Sequence, residues 1–226
     1  MINRGVADCG NGDFCSELAG STNTTFHTIF RGSPPSRRLA TTTSFALVAD
    51  LSPLLLGHLL LLPKRHYLSF AQVLADHRSE LASIVESLRP LYTSAFGMPP
   101  TFLEHGSSGT DDRNACITHA HLHLVPISGV TIRDQIYTDG LYGEELPDVW
   151  SLGNGPWIDE AYYFIASDET IQIFRPQAAM PRQYIRSVIG RGLGMRDPEW
   201  DYALFPRPDI FRETLGATDE WHLSHE

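Results

Sequence analysis

Cysteine is scarce in this chain. Three residues in 226 are too few, and an odd number, for a disulfide framework, which fits a reducing compartment. Long apolar runs are missing as well. The best candidate, Leu54 to Leu62, is interrupted by Gly57 and His58 and falls short of the roughly 20 residues that cross a bilayer. The first residues are polar and acidic where a signal peptide has its apolar segment. Positive charge is in the minority: 17 Lys and Arg stand against 27 Asp and Glu, a net charge of -10. That argues against a nucleic acid polymer held on a broad basic surface. A small nucleotide stays open, because its phosphates need only a local pocket. No internal repeat or long low-complexity segment is visible. The expectation is a soluble, cytoplasmic protein without membrane or nucleic acid polymer among its partners. Its 42% hydrophobic content is enough for a sizeable core.

What the chain does have is the run His119-Ala120-His121-Leu122-His123-Leu124-Val125-Pro126. A strand sends successive side chains to opposite sides, so the alternation puts His119, His121 and His123 on one face, roughly 7 Å apart at each step. Ala120, Leu122 and Leu124 then enter a core. Cys116, Ile117 and Thr118 extend the strand pattern upstream, and Pro126 suits its end. Imidazole acts near neutral pH as nucleophile, proton carrier or metal ligand. The row alone therefore predicts a phosphoryl-transfer surface or a metal site, against the plain alternative of a solvated edge.

Residues 1 to 25, rich in Gly, Asn, Ser and Thr, predict a loosely ordered start. Phe26 to Phe30 and Phe45 to Ala49 predict strands, with Gly32, Pro34 and Pro35 as the turn between them. Leu59 to Leu62 predicts a buried strand. Ser69 caps a helix over 69 to 96, in which apolar residues recur at three- and four-residue steps and Pro90 is expected to kink or divide it. Thr101 to His105 and Cys116 to Pro126 form a hairpin. Further on, Ala161 to Ala166 and Thr170 to Phe174 predict a second hairpin. Pro181 opens a helix with Tyr184, Ile185, Val188, Ile189 and Leu193 on its apolar face and Gly194 as its stop. In 195 to 226, Pro198, Pro206 and Pro208 are expected to break any long element.

A second segment gives the histidine row its context: Asp50-Leu51-Ser52-Pro53, followed by Gly57-His58-Leu59-Leu60-Leu61-Leu62-Pro63-Lys64-Arg65-His66. Together with the triad, and with Asp13 to Gly20 as the start of the fold, residues 9 to 128 resemble the histidine triad (HIT) superfamily of nucleotide hydrolases and transferases. The resemblance implies an α+β fold: an antiparallel sheet with the helix over 69 to 96 packed on it, in a catalytic domain over 1–135. A hairpin-and-helix extension over 136–226 is expected to pack on that domain. It also implies a homodimer and an enzyme acting at the α-phosphate of a dinucleoside polyphosphate or a nucleotide phosphoramidate. His121 is the implied nucleophile and holds the nucleotidyl group covalently. His119 and His123 are implied to bond phosphate oxygens and hold His121 in its reactive tautomer, His58 to complete the set, and Asp50 to bind ribose hydroxyls. Leu51 is a candidate wall for the base.

The loop before the triad departs from the family. Ser108 stands near its usual Asn and Cys116 at its usual Ser or Thr; cysteine is a poor donor, so backbone amides or Ser107 and Ser108 would have to hold the phosphate. That departure keeps a non-catalytic nucleotide-binding regulator open as an alternative, beside a phosphorylase or a tailoring enzyme for an unusual nucleotide. No cofactor is required for the implied chemistry. Structural zinc in some family members nominates Cys15, His66 and His119, but Cys9 lies six positions before Cys15 instead of three, so zinc is not expected. In the extension, Arg182 and Arg186 are four apart on one helix face, beside Gln183. They are candidates to grip the distal phosphate or acidic part of a leaving group, against the plainer reading of a solvated face.

Overall fold

The computed structural model describes residues 12–108, 119–177 and 182–221. One mixed sheet-and-helix layer system is built on eight strands: β1 (Arg38–Thr41), β2 (Phe45–Ala49), β3 (Leu59–Pro63), β4 (Thr101–Gly106), β5 (Leu122–Val125), β6 (Glu144–Glu145), β7 (Tyr162–Ala166) and β8 (Ile171–Phe174). Their order in space is β1-β2-β3-β5-β4-β7-β8-β6, and every neighbouring pair is antiparallel. The expected catalytic segment and the expected extension share this sheet. β7 pairs with the outer edge of β4, with Leu103 opposite Ile165 and His105 opposite Tyr163. The extension thus prolongs the sheet instead of only packing on it. The physical reason is the row of main-chain donors and acceptors that β4 would otherwise leave open.

The helices are α1 (Asp13–Leu18), α2 (Thr25–Phe30), α3 (Phe70–Phe96), α4 (Gly129–Thr138), α5 (Tyr184–Gly192) and α6 (Pro208–Ala217). Ser69 caps α3 as expected, its hydroxyl accepting from the Gln72 N–H. The helix's break from regular geometry lies at His77 and not at Pro90. There the Tyr67 hydroxyl donates to Asp76 and lies 3.1 Å from His77 Nε2. Phe26 to Phe30 is a helix, not a strand. Thr24 caps it, and Phe26 and Phe30, four apart, are both buried. Pro208 begins a ten-residue helix instead of preventing one, because a first-turn proline lacks only an N–H that has no intrahelical partner. Among the described residues no helix is long and apolar enough to cross a membrane.

The two faces of the sheet are covered differently. On one, α3 lays Phe70, Val73, Leu81, Ile84, Leu88 and Tyr92 over Leu47, Leu61, Phe102, Leu122, Leu124 and Phe164 in the main core. On the other, two smaller cores form. Phe14 of α1 covers Ala46, Val48, Leu60 and Leu62, while α4 and α5 bring Ile132, Ile136, Tyr184, Ile185 and Val188 onto Leu103, Val125, Tyr163 and Ile165. A cavity opens at the seam between these two.

Glu104 ties α3 to the sheet. Its Oε1 accepts from the Phe70 N–H at 2.7 Å and its Oε2 from the Tyr162 hydroxyl at 2.5 Å, and that hydroxyl accepts from the Ala71 N–H. Burial, opposed by these bonds, pushes the Glu104 carboxyl up to about 8. Its folded pKa lies above its unfolded value, so its contribution is full below about 4.5 and is lost as pH rises through 8. The melting temperature of the wild type is therefore expected to fall between about pH 5 and 8, and by less in Glu104→Gln. Parallel falls in the two proteins would remove Glu104 as the cause.

Candidate active site

Only His123 lies within β5; His119 and His121 precede it on irregular backbone. Cys116 to Thr118, expected in the same strand, lie outside the described residues. All three triad histidines nevertheless line one cavity of about 320 Å³, together with Phe14, Asp50, Leu51, Leu60, His105 and, from the extension, Arg182, Gln183, Tyr184, Ile185, Arg186 and Tyr202. The Phe14 ring meets His121 edge-on at 5.3 Å.

Burial is the main cause of every pKa shift among these imidazoles. It lowers His58, His105 and His119 to about 4 and holds His121 and His123 below the usual histidine range. With neutral rings, the hydrogen bonds assign the tautomers. His121 Nδ1 faces the carbonyl of His119 at 2.9 Å, so Nδ1 carries the proton and Nε2 the lone pair. The Leu54 N–H can only donate, and it reaches His58 Nδ1 at 3.3 Å. His58 therefore bears its proton on Nε2, which donates to His123 Nδ1 at 2.9 Å. His123 in turn keeps its own proton on Nε2. One backbone amide thus sets two ring tautomers in sequence.

His119 is engaged elsewhere. Its Nε2 donates to the Pro63 carbonyl at 2.8 Å, and its Nδ1 lies 3.1 Å from Cys15 Sγ. The ring still lines the cavity, and the residue's carbonyl accepts from His121 Nδ1. His66 Nδ1 lies 3.5 Å from the same sulfur. Cys15, His66 and His119 bring their ligand atoms within 4.8 Å of one another, a sulfur and two nitrogens of the kind zinc accepts. The bond from Nε2 to Pro63 turns the Nδ1 lone pair of His119 toward that group, as in metal sites oriented by an outer partner. The Cys15 sulfur is engaged in a disulfide, however, so it offers no thiolate and these three residues do not make a zinc site as they stand. Cys9 lies outside the described residues.

Asp50 and Arg186 face each other. Asp50 Oδ2 accepts from Arg186 Nη1 at 3.0 Å and Oδ1 from the Ser52 N–H at 2.8 Å, while Oδ2 lies 3.8 Å from His58 Nε2. Burial pushes the Asp50 carboxyl up, but Arg186, His58, His123 and the Ser52 amide outweigh it and hold it below the usual carboxylate range. Arg186 also donates through Nη2 to the Ser52 carbonyl at 2.7 Å and through Nε to the Trp200 carbonyl at 3.1 Å. It is 6% exposed, which corrects the reading of a solvated helix face; Arg182 is exposed. Pro181 lies outside the described residues, and the helix it was expected to open begins at Tyr184.

Of the residues nominated from sequence, the structure gathers His119, His121, His123, Asp50, Leu51, Arg182 and Arg186 around the cavity and places His58 behind His123. Ser107 and Ser108 are buried after β4 but do not line it, and Cys116 lies outside the described residues. Sequence reasoning missed His105. Its signal was available, because a hairpin that pairs Leu103 with His123 puts His105 across from His121.

Among solved structures, the chain is similar to a Hit-like protein involved in cell-cycle regulation from Bartonella henselae, at 20% identity, 47% of this chain, 81% of that one and a TM-score of 0.32. It is similar to a hypothetical histidine triad nucleotide-binding protein from Sulfolobus tokodaii, at 17% identity, 86% of this chain, 91% of that one and a TM-score of 0.36. A zinc-bound histidine triad family protein from Mycobacterium smegmatis is 19% identical, covering 59% of this chain and 89% of that one, with a TM-score of 0.35. No protein family and no curated protein matches the chain. All three structures carry the name of the family that the sequence resembles.

Proposed function

We propose that the chain is a histidine triad enzyme that hydrolyses or transfers a nucleotidyl group from a dinucleoside polyphosphate or a nucleotide phosphoramidate. The observation that carries this reading is the pair of assigned rings in one cavity: His121 with its lone pair on Nε2, and His123 with its proton on Nε2. The first is a nucleophile and the second a donor. Nε2 of His121 attacks the α-phosphorus, a P–N bond forms, and the group beyond the phosphorus departs with the bonding pair. His123 Nε2–H bonds an oxygen on which charge develops. Water or another acceptor then attacks the same phosphorus and releases His121. Dividing one displacement into two keeps each within reach of neutral imidazoles.

A second reading, a nucleotide-binding regulator without turnover, draws support from one observation: Ser107 and Ser108 do not line the cavity. The two readings part at the covalent step. Wild-type protein quenched without acid is expected to gain the mass of one nucleotidyl group, and His121→Ala to gain nothing while losing several orders of magnitude in turnover at an unchanged melting temperature. Near-normal activity in His121→Ala would sink the mechanism, and nucleotide binding without capture in the wild type would favour the regulator.

His58 has no direct part in this scheme and acts through His123. Replacing it with Phe removes the proton that fixes the His123 tautomer, and kcat is expected to drop at least about tenfold with a smaller change in KM. An unaltered kcat in folded His58→Phe would mean that the tautomer is set some other way.

Asp50, His58 and His123 also bring ligand atoms within 4.8 Å of one another. The Arg186 guanidinium already lies on Asp50, and the two rings already bond each other. Chelation with EDTA is therefore expected to leave the rate of the folded enzyme within about twofold. Loss of turnover restored by added Mg²⁺ would turn the histidines into a catalytic metal site.

A further inference from the structure

Where the extension meets the triad, the one carboxylate beside the histidines already has partners. Both oxygens of Asp50 accept a hydrogen bond, one from the Ser52 amide and one from Arg186, and the residue is 5% exposed. Arg186 is buried equally well and gives three of its N–H groups to Asp50, Ser52 and Trp200, while its guanidinium lies 5.8 Å from the centre of the Tyr202 ring. A guanidinium has five N–H groups. The two left over belong to a side chain that lines the cavity, and Arg182 on the preceding turn lines it too. This wall therefore adds free donors beside a carboxylate whose two oxygens are each already engaged.

Donor and acceptor walls select different ligands. A free carboxylate accepts from vicinal hydroxyls, whereas a planar guanidinium matches the oxygens of a phosphate or a carboxylate. Dinucleotide-binding folds make the same exchange, with an acid for a sugar hydroxyl and an arginine for a sugar phosphate. Arg182 is exposed at the cavity and makes no ion pair among the described residues. Asp13, the other acid facing the cavity, gives Oδ1 to the Thr25 N–H at 2.8 Å.

Building on the nucleotide reading above, we propose that Arg186 and Arg182 bind a second anionic group of the substrate, a phosphate separate from the one His121 attacks. Asp50 then serves to hold Arg186 in place and does not receive a sugar diol. The substrate class is a nucleotide phosphorylated at two places, with its sugar hydroxyls unread.

Equilibrium binding tests this without needing turnover. For the adenosine, guanosine and uridine series, the dissociation constants of the nucleoside 5′-monophosphate, its 2′-deoxy form and the 3′,5′-bisphosphate are measured by calorimetry on the full chain. In at least one series the bisphosphate is expected to bind about tenfold or more tightly than the monophosphate, with the deoxy form within about threefold of the latter. Arg182→Ala, an exposed change that does not threaten folding, is expected to bring the bisphosphate close to the monophosphate. No bisphosphate preference in any series overturns the proposal. So does a deoxy form bound ten times more weakly than its ribose counterpart, or a bisphosphate preference unchanged by Arg182→Ala. Capture of a nucleotidyl group on His121 without any bisphosphate preference would refute this inference and leave the proposed reaction standing. A bisphosphate preference without capture would do the reverse.

Discussion

Desolvation of the imidazoles is the constraint from which the rest of the site follows, because a charged ring at the seam between two apolar patches would lack the water that stabilises it. Held neutral, each ring must have one nitrogen that donates and one that accepts. For His119, His121 and His58 these partners are fixed groups: the Pro63 carbonyl, the His119 carbonyl and the Leu54 amide. The rings can therefore neither swap tautomers freely nor rotate without losing a buried bond, and leaving such a group unpaired costs about 1–3 kcal/mol. A solvated row of the same histidines would average over tautomers and present no defined lone pair.

That defined polarity depends on covering the sheet. The strands that carry the site are buried on both faces, so something must lie over the histidine side without filling it. Phe14 from the chain's start does so at one flank, and Tyr184 and Ile185 from the extension at the other. Neither cover is continuous with its neighbour. The gap between them is the cavity, and the only cation buried in its wall, among the described residues, is Arg186.

The legible parts of the chain were those written in local periodicity. The all-apolar Leu59 to Leu62 and the three- and four-residue steps after Ser69 match a strand and the long helix, because each signal is carried by residues close in sequence; of the alternating histidines only His123 lies in a strand. Phe26 to Phe30 misled because five apolar-rich residues fit either period, and the cap at Thr24 decided for helix. The setting of His119 is carried by a longer-range contact. The bond to Pro63, 56 residues away, turns its ring toward Cys15. The pairing of Asp50 with Arg186 spans 136 residues, and no local pattern announces it.

That long-range pair explains why the extension is more than an appendage. Pairing with β7 satisfies the edge of β4, which is a local need that any added strand would meet. The approach of Arg186 is specific, because it requires α5 to sit on the triad side of the sheet with its fourth-residue spacing in register with Asp50. Once there, the guanidinium cannot be withdrawn cheaply. Removing one partner of a buried ion pair costs about 3–5 kcal/mol, since the other is left charged and unsolvated. Sheet edge, helix packing and site polarity are therefore coupled through one side chain, and drift in the extension is constrained by the same carboxylate that stands beside the histidines.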